Sequence, residues 1–554
     1  MFAATNQETV TEGLPRPGAA IAGGSEISNR GWLRRPVGMV AVAVLFVFAL
    51  GVGQRTQAQT FSLLHTFTGQ TGGGDGASSY ARLVMDSAGN LYGTTVSGGN
   101  INSSAGTVFK IDASNNETVL YSFTAGNDGG FPIGGLTVGP GGILYGTTAA
   151  GGTKLAGTVF ELDPNTMVET VLWNFTGGND GGSPASNLVM DSAGNLYGTT
   201  AFGGSLGNGN VFELNPSTLV ETSLHDFGGL DGALPFSGLV MDSGNNLYGT
   251  TTNGGANSGG VVFKMDHTGT ETNLYTFTGY STTLGFVGPD GASPQSDLVM
   301  DSLGNLYGTT VSGGNINSSA GTVFKIDSSF GETVLHSFGG PGDGSQPNSG
   351  LVKDSAGNFY GSTAGGGASN DGTVYKIDAS GNETVIHSFS GDDGISPIGS
   401  LIVGSDGNLY GTTSAGGTSG YGTVFKIAFV AQFSSMSVKL DTTSGPPPGF
   451  DLKALVTQGS GAAAIDPVAQ GMTLTVGTYT VTIPAGSFHL TNKGTWVYKG
   501  TINGVALQAR ILQTGTNTYQ VQVDASGVDL TSLTNPVTVT LALGTNTGTT
   551  QVNR

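Results

Sequence analysis

The chain has 554 residues, of which 10 % are charged and 97 are glycine, with no cysteine and a formal net charge of −19 at pH 7. Without cysteine there is no disulfide framework and no thiolate chemistry. The acidic balance disfavours nucleic acid and anionic lipid as partners, and it keeps an exported surface soluble.

Arg30, Arg34 and Arg35 precede an apolar run over residues 37–53, and Thr56-Gln57-Ala58 follows with small residues at the two positions cleavage requires. That order predicts a secretory signal, so the chain is expected to be secreted, periplasmic or displayed at the cell surface. The competing reading is an N-terminal membrane anchor, the one way this chain would engage a membrane. The run is 17 residues long and contains Gly38, Gly51 and Gly53, which puts it at the lower edge of what spans a bilayer. The leader is long, so a start downstream of Met1 is also compatible. Setting residues 1–58 aside leaves 14 − 35 = −21.

The string Leu91-Tyr92-Gly93-Thr94-Thr95 then returns along the chain. Its tyrosines are Tyr92, Tyr145, Tyr197, Tyr248, Tyr307, Tyr360 and Tyr410, at separations of 53, 52, 51, 59, 53 and 50. Residues 83–112 and 298–327 differ only at Ala88 and Leu303, a recent duplication. Each unit predicts four short strands. The first lies at 83–86 and leads through an Asn- and Gly-containing turn into the second at 91–95. A Gly-Gly loop precedes the third at 106–112, and the fourth covers 117–123. No stretch after the leader has a helical period.

Four strands in about 50 residues, seven times, is the pattern of an all-β, seven-bladed β-propeller over residues 59–429. The ends of the array discriminate a ring from an open solenoid. The seventh unit stops after its third strand, and the missing fourth strand is found at residues 61–67, which match 117–123. Such an exchange closes a ring and leaves no unpaired edge.

The LYGTT strings, the Gly-Gly loops and GTVFKID strands such as residues 321–327 are similar to those of bacterial choice-of-anchor tandem-repeat proteins with GloVer repeats. The resemblance covers about residues 60–429. It implies a secreted or surface propeller and brings no catalytic residue with it.

From Val430 the repeat ends and composition shifts to Thr, Val, Ser and Ala. Alternating segments at 478–483, 518–523 and 537–541 predict a C-terminal β-sandwich over 430–554. This part carries six basic and five acidic residues, whereas 59–429 carries 8 − 30 = −22.

Candidate chemistry is sparse. Six units carry Asp-Gly-x-x-Pro before their first strand, beginning at Asp128, Asp180, Asp231, Asp290, Asp343 and Asp393, and the first unit has Asp75-Gly76 with Ser79 in the proline position. Turn chemistry accounts for the motif, since Asp caps, Gly supplies positive φ and Pro limits the strand. His65, His225, His336 and His387 share one repeat position on separate outer strands, so they are not expected to converge on a metal. Residues 203–207 match G-x-S-x-G around Ser205, but the motif needs a strand-turn-helix and falls here in a Gly-Gly loop. No catalytic residue, metal ligand or cofactor is assigned. The strongest break in symmetry is an insertion at residues 279–287. Long loops on rigid scaffolds carry binding, so Tyr280, Phe286 and Asp290 are the candidate ligand-binding residues. Three functions remain compatible: an exported binding or adhesion module, a glycan-active enzyme, and a structural envelope protein. The ligand expected for the first is an extracellular polysaccharide or protein. Neutral glycans are favoured, because the acidic propeller repels anionic ones.

Overall fold

The computed structural model describes residues 58–552, except 70–73, 100–103, 282–285, 315–318, 355–356, 444–446, 459–464 and a few single or paired positions elsewhere. Residues 1–57 of the predicted leader lie outside the described residues, and its last residue, Ala58, begins the first described strand. Among the described residues the chain is strand and turn, with a single 3-10 turn, Pro140–Gly142, and one short α-helix, Pro467–Gln470, capped by the Asp466 carboxylate on the Val468 and Ala469 amides. No helix among them is long and apolar enough to cross a membrane.

Six antiparallel four-stranded sheets follow one another along the chain. In the first, Val84–Met85, Leu91–Thr95, Thr107–Ile111 and Glu117–Ser122 pair in sequence order. The inner strand is two residues long, shorter than the sequence suggests. Every repeat shows why the LYGTT glycine recurs. A methyl group on Gly198 would lie 2.7 Å from Phe212 and 2.8 Å from Leu188. Both neighbours are buried.

The turn between the third and fourth strands is followed by a register shift in each sheet, such as that between Val108 and Phe109. A bulge of this kind re-aims the next side chain, and it turns Tyr121 toward the following repeat. The strand Ala58–Thr66 has the same bulge. It pairs antiparallel with Thr423–Thr443, with Phe425 opposite Leu63 and Val424 opposite His65. The last repeat thus holds Ile402–Val403, Leu409–Thr413, Thr423–Thr443 and the N-terminal strand.

Successive repeats are joined by recurring contacts. A fully buried Phe at the end of each fourth strand meets the third-strand aromatic of the next repeat edge-on, as Phe175 does Phe212 at 5.1 Å. The first threonine of the string, a serine in the sixth repeat, donates to a carbonyl of the next repeat, as Thr199 Oγ1 does to Ser237 at 3.1 Å. The last repeat makes both contacts to the first: Thr412 Oγ1 reaches the Ser79 and Ala81 carbonyls at 3.5 Å, and Phe67 packs on Phe109 at 5.2 Å.

The Asp-Gly loops are strained alike. Ser78, Phe131, Ser183, Leu234, Ser293, Gln346 and Ser396 all have φ between 51° and 57°. A non-glycine residue in that region costs about 1 kcal/mol or more. The conformation is held because the same residue's amide donates back to the preceding repeat, as Ser183 does to the Ala156 carbonyl at 2.7 Å.

No linker separates the repeats from the C-terminal residues. The strand Thr423–Thr443 is 21 residues long and crosses the expected boundary at 429/430. Its far half pairs with Gly449–Gln458, which continues through Thr518–Ser526, Val505–Gly515 and Thr495–Ile502. A second set, Tyr479–Ile483, Met472–Val476, Val537–Leu543 and Asn546–Val552, joins the long strand at Ala431 and Gln432. Alternate residues of both sets, among them Leu452, Val456, Leu474, Val521, Val539 and Leu541, form one apolar core.

Candidate functional site

The insertion forms a two-stranded hairpin in which Tyr280 pairs with Val287 and Ser281 with Phe286. The side chains of Tyr280 and Phe286 lie outside the described set. Asp290 is 7 % exposed. It accepts hydrogen bonds from the Thr278 amide and the Tyr275 hydroxyl, both at 2.9 Å, and from the Thr278 hydroxyl. It therefore holds the loop. The other Asp-Gly aspartates do the same, as Asp75 does on Thr68 and Asp128 on Thr124. Burial opposes ionisation of Asp75, yet hydrogen bonds from His65 and Thr68 outweigh it and hold the carboxyl below its ordinary value.

The four shared-position histidines do not meet one another. Each instead bonds the aspartate of the loop that follows it, at 2.9–3.1 Å. Sequence reasoning missed a third group there. Glu117, Glu169, Glu221, Glu271, Glu332 and Glu383 stand at the start of the fourth strands of six repeats, each beside an Asp-Gly aspartate, and for Glu117, Glu271 and Glu383 that aspartate is one of those bonded to histidine. Burial foremost, with a neighbouring carboxylate adding to it, pushes each of them up to about 7, and at Glu117 the His65 imidazole opposes the rise. Among the described residues, His225, Asp231 and Glu271 bring one ligand atom each within 4.8 Å of one another, as do His336, Asp343 and Glu383. A histidine with two carboxylates is a donor set that could hold a divalent cation. At the junction of the last two repeats Phe61 takes the glutamate's place and stacks on His387 at 3.9 Å. Burial holds that imidazole below its ordinary value, against the pull of Asp393.

Ser205 is no nucleophile elbow. It lies in a turn and donates to Asp226 at 2.6 Å, while the nearby His225 bonds Asp231.

One cavity of about 410 Å³ draws its lining from all seven repeats. It is built from residues just after each Asp-Gly-x-x-Pro. The residue following the proline position is Tyr80, Ile133, Ala185, Phe236, Gln295, Asn348 or Ile398. No two adjacent repeats agree, although the leucine three residues further on is buried in all seven. The position before that leucine alternates between side chain and glycine: Arg82, Gly135, Asn187, Gly238, Asp297, Gly350, Ser400. Three of these side chains bind backbone of a glycine repeat. Gly135 N donates to Asn187 Oδ1 at 2.5 Å, Gly238 N to Asp297 Oδ1 at 2.7 Å and Gly350 N to Ser400 Oγ at 2.8 Å. Asn187 Nδ2 also donates to Asp297 Oδ2 at 2.6 Å. The Oδ1 atom of Asn348 is buried without a hydrogen-bond partner. Both columns were legible in the aligned repeats as positions that vary beside an invariant leucine.

The model of the Gloeobacter/Verrucomicrobia repeat matches four overlapping spans, residues 47–245, 106–317, 178–354 and 315–462. The chain belongs to this repeat family. The resemblance drawn from the LYGTT strings is thereby borne out. None of the curated proteins compared matches the chain. Among solved structures, the extracellular domain assigned to a one-component system of B. thetaiotaomicron is similar at 13 % identity and a TM-score of 0.43, over 84 % of this chain and 58 % of that one. The chain thus spans somewhat over half of that neighbour's length. A gluconolactonase from Xanthomonas campestris is similar at 12 % identity and a TM-score of 0.34, over 67 % of this chain and 89 % of that one.

Proposed function

We propose that this chain is an exported, non-catalytic binding protein whose repeats close into a seven-bladed β-propeller, with a C-terminal β-sandwich and a ligand site in the cavity where the blades meet. The cavity lining carries this reading. Residues that build the fold recur in every repeat, whereas Tyr80, Phe236, Gln295, Asn348 and the Arg82–Ser400 column differ from repeat to repeat. A concave surface that draws a different side chain from each repeat is where selection for a particular ligand acts on a repeated scaffold. Closure is supported by the Thr412 and Phe67 contacts to the first repeat. The sandwich is supported by the shared core of the two strand sets. Export is supported by the charged and apolar leader.

A binding role is favoured over glycan cleavage. Glycosidases use a pair of carboxyl groups across the scissile bond. The cavity lining holds one carboxylate, Asp297, and both its oxygens already accept hydrogen bonds. The Tyr280–Phe286 hairpin extends the loop leading to Gln295 and Asp297, and it serves as a second contact for a long ligand.

The test is a glycan-array screen of the full chain beside Tyr80→Ala/Phe236→Ala and Tyr280→Ala/Phe286→Ala. Binding lost in the first double variant supports the cavity. Binding equal to wild type in that variant removes it, and loss only in the second moves the site to the hairpin.

A further inference from the structure

Resting on the cavity reading, we infer that the ligand bound there carries a single carboxylate among hydroxyl groups, as a uronic acid residue does, and that Arg82 recognises it. Arg82 is the only arginine between residues 59 and 429. It stands in one of the two lining columns that differ from repeat to repeat. Asn187, Asp297 and Ser400 in that column all satisfy backbone amides of neighbouring repeats. Arg82 has no such work. Among the described residues its guanidinium makes no hydrogen bond or ion pair, and it is only partly exposed. A half-buried, unpaired guanidinium gives up solvation for no return within the protein, and a planar fork of donors is suited to a carboxylate held bidentately.

The rest of the lining narrows the ligand. Arg82 and Asp297 are its only charged residues, so the cavity is neutral as a whole. A dianion such as a phosphate ester would meet one positive group and the Asp297 carboxylate, whereas a monoanion pairs with Arg82 alone. The remaining polar groups are amides and hydroxyls, of Asn187, Gln295, Asn348 and Ser400. The buried Asn348 Oδ1 lacks a donor, and a ligand hydroxyl would supply one. Tyr80 and Phe236, three repeats apart, offer flat apolar faces of the kind that cover sugar C–H groups. A cavity of about 410 Å³ suits one or two sugar residues.

This departs from the expectation of a neutral glycan, which rested on net charge. The −22 of residues 59–429 acts over the whole surface, where salt screens it beyond about 10 Å. A contact inside a cavity is decided by the one guanidinium present.

The experiment titrates the full chain with digalacturonate and with its methyl ester, by calorimetry at physiological salt. Wild type should bind the acid at least tenfold more tightly than the ester. Arg82→Gln should bring the acid down to the level of the ester, and Arg82→Lys, which keeps the charge but not the fork, should fall between. Circular dichroism and thermal midpoints check that each variant folds. Equal binding of acid and ester by wild type, or an acid preference that survives in Arg82→Gln, would overturn the role of Arg82. If both ligands then lose affinity in Tyr80→Ala/Phe236→Ala, the cavity stands and only the carboxylate falls. No binding of either ligand overturns the uronate assignment and leaves the cavity to the array screen.

Discussion

Replacing Phe67 by alanine tests whether the N-terminal strand is a full member of the repeat array. Phe67 and Phe175 are matched. Both are fully buried. Phe67 meets Phe109 at 5.2 Å and 70°, and Phe175 meets Phe212 at 5.1 Å and 67°. Each donates its amide to a third-strand glycine carbonyl at 3.0 Å, Gly422 for Phe67 and Gly157 for Phe175. Truncating a buried Phe costs about 3–5 kcal/mol. At about 2.1 cal/mol/K per residue, a cooperative unit of about 370 residues loses about 4–6 °C in melting temperature for that cost. Calorimetry of Phe67→Ala and Phe175→Ala should give equal shifts of one transition. If Phe67→Ala moves the midpoint by less than half as much, or splits off a separate low-temperature transition, the N-terminal strand is an appendage and the closure argument fails.

Other outcomes follow from the same contacts. The six junction glutamates bind a proton more tightly when folded, at about 7, than at their ordinary value of 4.5. Their contribution is complete below the unfolded value and lost as pH rises through the folded one. At these half-exposed positions it is on the order of 1 kcal/mol each after screening. Denaturant midpoints should therefore fall between pH 5 and pH 8, and a rise over that interval would contradict the junction geometry. Gly198→Ala should lose about 1–3 kcal/mol by overpacking against Phe212 and Leu188, read from urea unfolding. Ser205→Ala removes one exposed hydrogen bond and should change stability by about 1 kcal/mol or less. Loss of a hydrolytic activity in that variant would reinstate the 203–207 motif.

The strands were legible in the sequence because Gly, Asn and Asp at the turns and β-branched residues between them recur seven times. The pairing of residues 61–67 with the last repeat was legible for the same reason, whereas the bulge that sets His65 opposite Val424 was not. The junction glutamates were not. Glu117 and its equivalents start exposed-looking polar strands, and nothing local says that the loop of the preceding repeat folds over them. The cavity was missed for a different reason. Sequence reading sought asymmetry in length and so settled on 279–287, whereas the asymmetry that lines a cavity is single substitutions such as Arg82 for Gly135. The continuity of Thr423–Thr443 was hidden by the change in composition at Val430.

The pairing of Ala58 with Val430 has a consequence for biogenesis. The partners are 430 − 58 = 372 residues apart. Bringing such distant ends together costs about 5 kcal/mol of chain entropy, and that must be met before the strand contributes anything. During synthesis the first of the described strands emerges with its partner still to come. Its backbone waits as a bare edge, open to other chains, until nearly four hundred further residues arrive. A holdase that shields extended chains would act on this protein at that stage, on the earliest of the described strands.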